Sequence, residues 1–164
     1  MRILFVCTGN TCRSPLAEAI ARQLISERGV QDIAVSSAGT SAWPGSPASD
    51  GSLLVALEHG LDLSEHRAQQ LSPDLVASSE VILTMGPHHR ERAEALGGSG
   101  RTWLLTGFAD GQTEARPVSD PIGGDLSVYR DTFDELRVEI GRVLDRIVAD
   151  GACHPSQRFR PRVW

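Results

Sequence analysis

The sequence lacks lysine, contains only three cysteines and has no long apolar segment. All 16 of its cationic side chains are arginines, whose planar guanidinium groups stay charged at physiological pH. No apolar run approaches the roughly 20 residues that a membrane-spanning helix needs, and the apolar start of the chain is too short for a secretory signal. An odd number of cysteines is unlike a secreted disulfide framework. We therefore expect a cytoplasmic protein with reduced thiols and no membrane partner.

The charges are distributed unevenly along the 164 residues. Residues 1–150 contain all 21 acidic residues and 13 of the arginines, whereas residues 151–164 contain three arginines and no acid. An acidic body is a poor match for the phosphates of nucleic acid, so we expect no nucleic-acid partner. The length fits one domain. We place this domain at residues 1–150, followed by a basic, loosely ordered C-terminal tail at residues 151–164.

Short apolar strands alternate with segments of helical periodicity. Strands are predicted at residues 2–7, 33–37, 80–84 and 101–105. Helices are predicted from Ser14 to Gly29, at 47–59, from Ser72, at 88–96 and at 126–150, with loops at 38–47 and 106–125. This alternation predicts an α/β three-layer sandwich, in which helices cover both faces of a parallel sheet. Ligands of such folds bind beyond the carboxyl ends of the strands.

The loop after the first strand has the residues of an oxyanion site. Five residues separate Cys7 from Arg13, Gly9 lies between them, and Ser14-Pro15 opens a helix. Backbone N–H groups of such a loop and the helix N-terminus bind tetrahedral anions, and Arg13 can hold two anion oxygens. The thiolate of Cys7 would be stabilised there and placed for in-line attack on phosphorus.

Two other interpretations of this loop are less favoured. A bare Cys-x5-Arg pattern fits equally well a buried thiol and a surface arginine, and only the flanking strand, glycine and helix start favour the anion site. A nucleotide-binding loop is disfavoured because no Gly-Lys-Ser or Gly-Lys-Thr sequence is present.

The segment Val6–Glu18, VCTGNTCRSPLAE, resembles the signature of the low-molecular-weight protein-tyrosine phosphatases. Further matching stretches follow in the same order at residues 36–40, residues 66–68 and Asp120-Pro121, so the resemblance covers about residues 2–148. It implies a four-stranded parallel sheet flanked by helices. It also implies a phosphoric monoester or phosphoramidate hydrolase that acts on phosphorylated proteins through a cysteinyl-phosphate intermediate and needs no cofactor.

The resemblance also implies a role for each residue of the loop. Cys7 matches the nucleophile, Arg13 matches the residue that binds phosphate and stabilises the transition state, and Ser14 matches the hydroxyl that hydrogen-bonds the thiolate. Asn10 matches a residue that holds the loop's shape, and its family partners correspond to Ser37 and His66, which we expect to be scaffold without a direct chemical part. The phosphate-binding loop then comprises Thr8, Gly9, Asn10, Thr11, Cys12, Arg13 and Ser14.

The reaction needs a proton donor for the leaving group and a base for the attacking water. Asp120 is the best candidate, because it precedes Pro121 in a glycine-rich loop able to fold over the site. Taken alone, the pair would be read as an ordinary Asp-Pro turn. Asp110 and Asp125 are the nearest rivals, and neither is followed by proline.

Cys12 lies five residues from Cys7 in the same loop. The family resemblance implies a reversible Cys7–Cys12 disulfide that protects the nucleophile from overoxidation, and a packed thiol is an equal alternative. We expect no catalytic role for Cys153 in the tail.

Three positions bear on the substrate. Thr11, within Cys-Thr-Gly-Asn-Thr-Cys-Arg-Ser, resembles the protein-arginine-phosphatase branch of the family, whereas tyrosine-directed members carry a bulky aliphatic residue there. The Asp-Pro-x-Gly-Gly sequence also resembles that branch, but Ile122 stands where it usually has phenylalanine. Trp43 is expected at the pocket rim or in packing. We therefore favour phosphoarginine over phosphotyrosine or small aryl phosphates.

Three further functions are less favoured. An arsenate reductase would need relay cysteines after the third strand, and residues 84–92 contain none. A non-catalytic phosphate-binding or redox-sensing module would lack the acid that Asp120 supplies. A zinc site built from Cys7, Cys12 and His88-His89 is disfavoured because Arg13 would repel the cation, so we expect no metal.

Overall fold

The computed structural model of the chain describes residues 1–151. Within them, four strands form one parallel sheet in the order β2-β1-β3-β4. The strands are β1 (Arg2–Cys7), β2 (Ala34–Gly39), β3 (Val81–Thr84) and β4 (Thr102–Leu104). This confirms the four-stranded parallel sheet. The expectations for the tail, including Cys153, lie outside the described residues.

Six helices connect the strands or follow them within residues 1–151. Ser49, Ser72 and Asp125 cap three of them, because each side chain accepts a hydrogen bond from a first-turn backbone N–H. None of the helices in this part of the chain is long and apolar enough to cross a membrane. The helices are α1 (Arg13–Glu27), α2 (Asp50–Glu58), α3 (Pro73–Ser78), α4 (Pro87–Ala93), α5 (Leu105–Phe108) and α6 (Leu126–Ala149).

Both faces of the sheet are buried, as the alternation of strands and helices predicted. Along β1, Ile3 and Phe5 pack into a core shared with α1 and α6, whereas Leu4 and Val6 pack into a second core with residues of α3 and α4. Successive side chains of a strand point to opposite faces, so an apolar strand contributes to both cores. The three-layer sandwich is confirmed.

The carboxyl ends of β1 and β2 carry the loop that follows Cys7. Cys7 pairs with Gly39, so β2 reaches two residues beyond its predicted end at residue 37, and the expected loop at 38–47 begins later. A Cβ on Gly39 would lie 2.4 Å from the Thr8 carbonyl oxygen. Glycine is therefore required where β2 passes the loop.

Three other predicted boundaries are wrong. Helix α2 begins at Asp50 rather than residue 47, because Ser49 is its cap. Helix α4 ends at Ala93 and is followed by a wide turn at 94–98, where Gly97 has a φ of +105°. The expected loop at 106–125 begins within α5, which is a single turn buried in the core. The glycine within this turn led to its assignment as loop.

Candidate active site

Cys7 lies buried at the end of β1, with its sulfur against the first turn of α1. The Cys7 Sγ atom is 2.9 Å from Ser14 Oγ, and Asn10 Nδ2 donates a hydrogen bond of 2.7 Å to the same oxygen. An amide nitrogen only donates, so the Ser14 hydroxyl proton is free to be donated to the Cys7 sulfur.

Asn10 is the centre of the loop scaffold. Its φ of +56° places it in the left-handed region, which asparagine tolerates better than most residues. Its Nδ2 also donates to Ser37 Oγ (2.9 Å), and its Oδ1 accepts from the backbone N–H of Gln69 (2.9 Å). The ring of His66 donates from Nε2 to the Asn10 carbonyl (2.7 Å), because a carbonyl oxygen only accepts. The structure thus brings Asn10, Ser37 and His66 together, as expected, and adds Gln69.

Arg13 is buried beside the loop, with 7% of its side chain exposed. Its Nη1 donates to the Val118 carbonyl (3.0 Å), and its Nη2 lies 3.4 Å from Asp120 Oδ2. The buried Nε has no hydrogen-bond partner among the described residues. Buried donors are nearly always paired, so Arg13 retains donor capacity for an oxyanion at this place.

Asp120 is the one of the three candidate aspartates that reaches Arg13. Its Oδ1 accepts from the Ile122 N–H (3.1 Å), and 42% of its side chain is exposed. Asp110 instead pairs with Arg142 (2.6 Å). Asp125 caps α6, where hydrogen bonds from Ser127 and the Val128 N–H hold the pKa of Asp125 below its ordinary value. Asp120 is thus the aspartate whose position suits proton transfer at the loop.

Cys12 lies in a polar cluster formed with α2 and α6. Its Sγ lies 3.2 Å from Ser49 Oγ and 3.5 Å from the Tyr129 hydroxyl, and neither Cys7 nor Cys12 is in a disulfide. Burial raises the pKa of Tyr129, so its phenol stays protonated. Sequence reasoning did not predict the contacts of Ser49 and Tyr129 with Cys12, since Ser49 is a helix cap and Tyr129 belongs to the apolar face of α6. The Cys7–Cys12 disulfide stays a prediction.

His89 is a further residue that contacts the loop. It is fully buried on α4, and its Nε2 lies 2.8 Å from Thr8 Oγ1. Burial, helped by His88 and Arg13, lowers the pKa of His89 to about 3. The sequence suggested His89 only as a zinc ligand. Over residues 1–151, no group of three or more His, Cys, Asp or Glu side chains is arranged to hold a metal ion.

The three specificity candidates lie at different depths. Thr11 is half-buried, with its Oγ1 3.8 Å from Cys12 Sγ. Trp43 is 82% exposed and Ile122 is 67% exposed. Only Thr11 is therefore part of the loop itself, and the other two present apolar surface to solvent.

Comparisons with known proteins agree with this geometry. A family model described as low molecular weight phosphotyrosine protein phosphatase matches residues 2–152. A low molecular weight protein-tyrosine-phosphatase PtpB of Staphylococcus haemolyticus is 38% identical over 144 residues, which are 87% of this chain and 97% of the relative. A protein-arginine-phosphatase of Geobacillus stearothermophilus is 36% identical over 151 residues, 89% of this chain and 95% of the relative.

A solved structure extends the similarity to three dimensions. It is a mutant of the arginine phosphatase YwlE, in which the active-site cysteine is replaced by a serine that is phosphorylated. The two chains superpose with a TM-score of 0.87 at 30% identity, covering 94% of this chain and all of the other.

Proposed function

The chain belongs to the low molecular weight phosphotyrosine protein phosphatase family, and on that premise we propose that it hydrolyses phosphorylated protein side chains, phosphoarginine foremost, through a cysteinyl-phosphate intermediate. The observation that carries the proposal is the Cys7–Ser14 contact of 2.9 Å. A thiol that contacts a hydroxyl group beside a buried arginine has the environment of an activated nucleophile.

In the first step, the Cys7 thiolate attacks phosphorus, and the bond from phosphorus to the leaving nitrogen or oxygen breaks. Arg13 and the backbone N–H groups of residues 8–14 bind the non-bridging oxygens and stabilise their charge in the transition state. Asp120 gives its proton to the leaving atom. The phosphorylated serine in the YwlE mutant supports transfer of the phosphoryl group to the residue at this position.

In the second step, water attacks the phosphocysteine, and Asp120, now a carboxylate, accepts a proton from it. The sulfur–phosphorus bond breaks and phosphate leaves. The departing thiolate receives the Ser14 hydrogen bond, whose direction is set by Asn10. Hydrogen bonding to a charged form stabilises it, so Ser14 lowers the barrier to this step.

Phosphoarginine is favoured because the loop offers acceptors for a guanidinium group. Thr11 is half-buried in the loop, and the Asp120 side chain is 42% exposed, so Thr11 Oγ1 and the carbonyl oxygen of the protonated Asp120 can both accept from substrate N–H groups. An aromatic substrate ring would instead need a flat apolar wall. The exposed Ile122 and Trp43 are the residues available for one. Relatives named tyrosine phosphatases and relatives named arginine phosphatases both match the chain. The preference for phosphoarginine is therefore inferred from Thr11 and Asp120 and not from the relatives.

The test is kcat/KM on phosphoarginine and phosphotyrosine peptides of matched sequence, with Thr11→Ile beside the wild type. We expect phosphoarginine to be preferred by the wild type. The variant should shift the ratio toward phosphotyrosine by about tenfold, which corresponds to about 1.4 kcal/mol of transition-state binding. Thr113→Ile, a change at an exposed threonine, is the matched control and should keep the wild-type ratio. A wild-type preference for phosphotyrosine would overturn the arginine assignment and favour aryl phosphates.

We also propose phosphorylated proteins as partners and a cytoplasmic location. Cys7 and Cys12 are both free thiols in the structure, and the proposed chemistry requires a reduced Cys7. Cytoplasmic redox conditions keep thiols in that state.

A further inference from the structure

His89 is a fully buried histidine, and only one of its two ring nitrogens has a hydrogen-bond partner among the described residues. Its Nε2 bonds to Thr8 Oγ1 at 2.8 Å, but its Nδ1 is buried and has no hydrogen-bond partner among the described residues. An unpaired buried polar atom is unfavourable, and native structures retain few of them without a functional reason. Within residues 1–151, the one hydrogen bond that His89 makes through a ring nitrogen is with Thr8, the residue directly after Cys7.

Thr8 is held from two sides. Toward β2, its carbonyl accepts from the Ser41 N–H (2.9 Å), and the Thr40 N–H donates to the carbonyl of Cys7 (2.9 Å). Toward α4, its side chain meets His89. The β2 contacts fix the backbone of residues 7 and 8, and His89 fixes the side chain of Thr8, so that the start of the loop is held between two elements.

We propose that His89 is a positioning residue of the phosphatase, which acts through Thr8 to hold the first residue of the phosphate loop in place relative to the Cys7 sulfur. This inference rests on the proposed function, because it concerns the same loop. His89 does not touch the reacting atoms. It keeps the phosphate loop aligned with the Cys7 sulfur, as in-line transfer requires. Transfer rates are sensitive to displacements of about 1 Å.

The protonation of His89 agrees with this role. Orphaned buried N–H groups are rarer than under-used acceptors, so the ring proton lies on Nε2, which donates to Thr8 Oγ1. The ring is then neutral, and it adds no second positive charge beside Arg13, which must remain free to bind the phosphate. A neutral donor holds Thr8 without competing for the anion.

The test compares variants at both ends of the hydrogen bond. His89→Phe keeps a ring and Thr8→Val keeps the shape of the side chain, and both remove the bond. His89→Gln restores an N–H donor, because the glutamine side-chain amide reaches about as far as the Nε2 atom of His89. His88→Phe is the matched control, since His88 is an exposed neighbour whose ring centroid lies 3.8 Å from that of His89. For each variant, kcat and KM with an aryl phosphate, inhibition by inorganic phosphate and the melting temperature are measured.

We expect kcat to fall about tenfold in His89→Phe and in Thr8→Val, with a smaller change in KM, because Arg13 still binds the phosphate. The double variant should be no slower than the slower single variant, since both remove one interaction. His89→Gln should regain part of kcat, and His88→Phe should match the wild type.

Two results would overturn the inference. One is a kcat within twofold of the wild type in Thr8→Val and His89→Phe. The other is a multiplicative loss in the double variant, which would mean that the two residues act separately. If His89→Phe does not fold, Thr8→Val and His89→Gln decide by the same kcat criterion. A wild-type protein that hydrolyses no phosphorylated substrate would instead refute the proposed function, and this inference with it.

Discussion

At the scale of single residues, the direction of each hydrogen bond around Cys7 follows from the groups that can only donate. The Asn10 amide nitrogen donates to both Ser14 and Ser37, so each hydroxyl keeps its proton for another acceptor. Ser37 donates to a Glu18 carboxylate oxygen at 2.7 Å, and Ser14 remains directed at the Cys7 sulfur. The orientation of the Ser14 hydroxyl is therefore set by a chain of contacts that extends well beyond the loop.

A second residue-scale consequence is a loss of stability in acid that comes from His89. The pKa of His89 is about 3 in the folded chain, against an ordinary value of 6.5. Below pH 6.5 the unfolded chain therefore binds a proton that the folded chain does not bind until pH approaches 3. The stabilisation that this neutral histidine provides is complete above pH 6.5 and falls by about 1.4 kcal/mol per pH unit below it.

Urea unfolding at about pH 7.5 and about pH 5 measures this effect. We expect His89 to contribute about 2 kcal/mol to the wild-type loss between these conditions. His89→Phe should lose correspondingly less on acidification, whereas His88→Phe should behave as the wild type. An equal loss in His89→Phe and the wild type would show that His89 titrates normally in the folded state.

Only some of the residues that contact the phosphate loop could be predicted from the sequence. The roles of Asn10, Ser37 and His66 came from the motif resemblance, and the structure places the three in contact. His89 and Gln69 were missed as contacts of the loop. His89 comes from a segment with no matching motif. Gln69 directly follows the matching stretch at residues 66–68, and its contact with Asn10 is made by its backbone N–H, which carries no side-chain signal.

At the scale of elements, the phosphate loop depends on a left-handed residue. Asn10, with a φ of +56°, is held there by three neighbouring segments. Glycine at this position keeps the conformation and removes the side-chain hydrogen bonds, whereas alanine also introduces steric strain of about 1–2 kcal/mol. The pair of variants therefore separates backbone strain from hydrogen bonding.

We expect Asn10→Gly and Asn10→Ala both to lower kcat by at least about tenfold, because Ser14 loses the donor that directs its proton. Asn10→Ala should also have a free energy of unfolding about 1 kcal/mol below that of Asn10→Gly. Steady-state kinetics and urea unfolding measure the two effects. A glycine variant with wild-type kcat would show that the backbone shape alone is needed.

The helices also differ in how well they can be predicted from the sequence. Helix α6 was predicted to within a residue, because its apolar stripe from Tyr129 to Ile147 continues over about five turns and Gly151 follows it. Helix α5 was missed, since four residues are too few to establish a period. Gly97 and Gly98 are the glycines expected to end the helix at 88–96, and α4 ends earlier because a wide turn over residues 94–98 contains them.

At the scale of the whole molecule, the site joins parts of the chain that are far apart in sequence. The N–H of Val118 donates to the Met85 carbonyl (2.8 Å), and the carbonyl of Val118 accepts from the Arg13 guanidinium. Arg116 forms ion pairs with Glu135 and Glu139 on α6. These contacts bring Asp120 to the loop across more than a hundred residues. Hydrophobic pattern predicts the sandwich, but it carries no information on these polar contacts.

The proposed mechanism requires that Cys7 carries the phosphoryl group during turnover. The most direct measurement is mass spectrometry of acid-quenched enzyme mixed with a phosphorylated substrate, on the wild type, Asp120→Asn and Cys7→Ala. Asp120→Asn should accumulate the intermediate with an activated aryl phosphate, because water then attacks without a base. We expect one phosphoryl group on the peptide that contains Cys7, located on that residue, and none in Cys7→Ala. Turnover by Cys7→Ala, or a phosphoryl group on another residue of the wild type, would contradict the proposed mechanism.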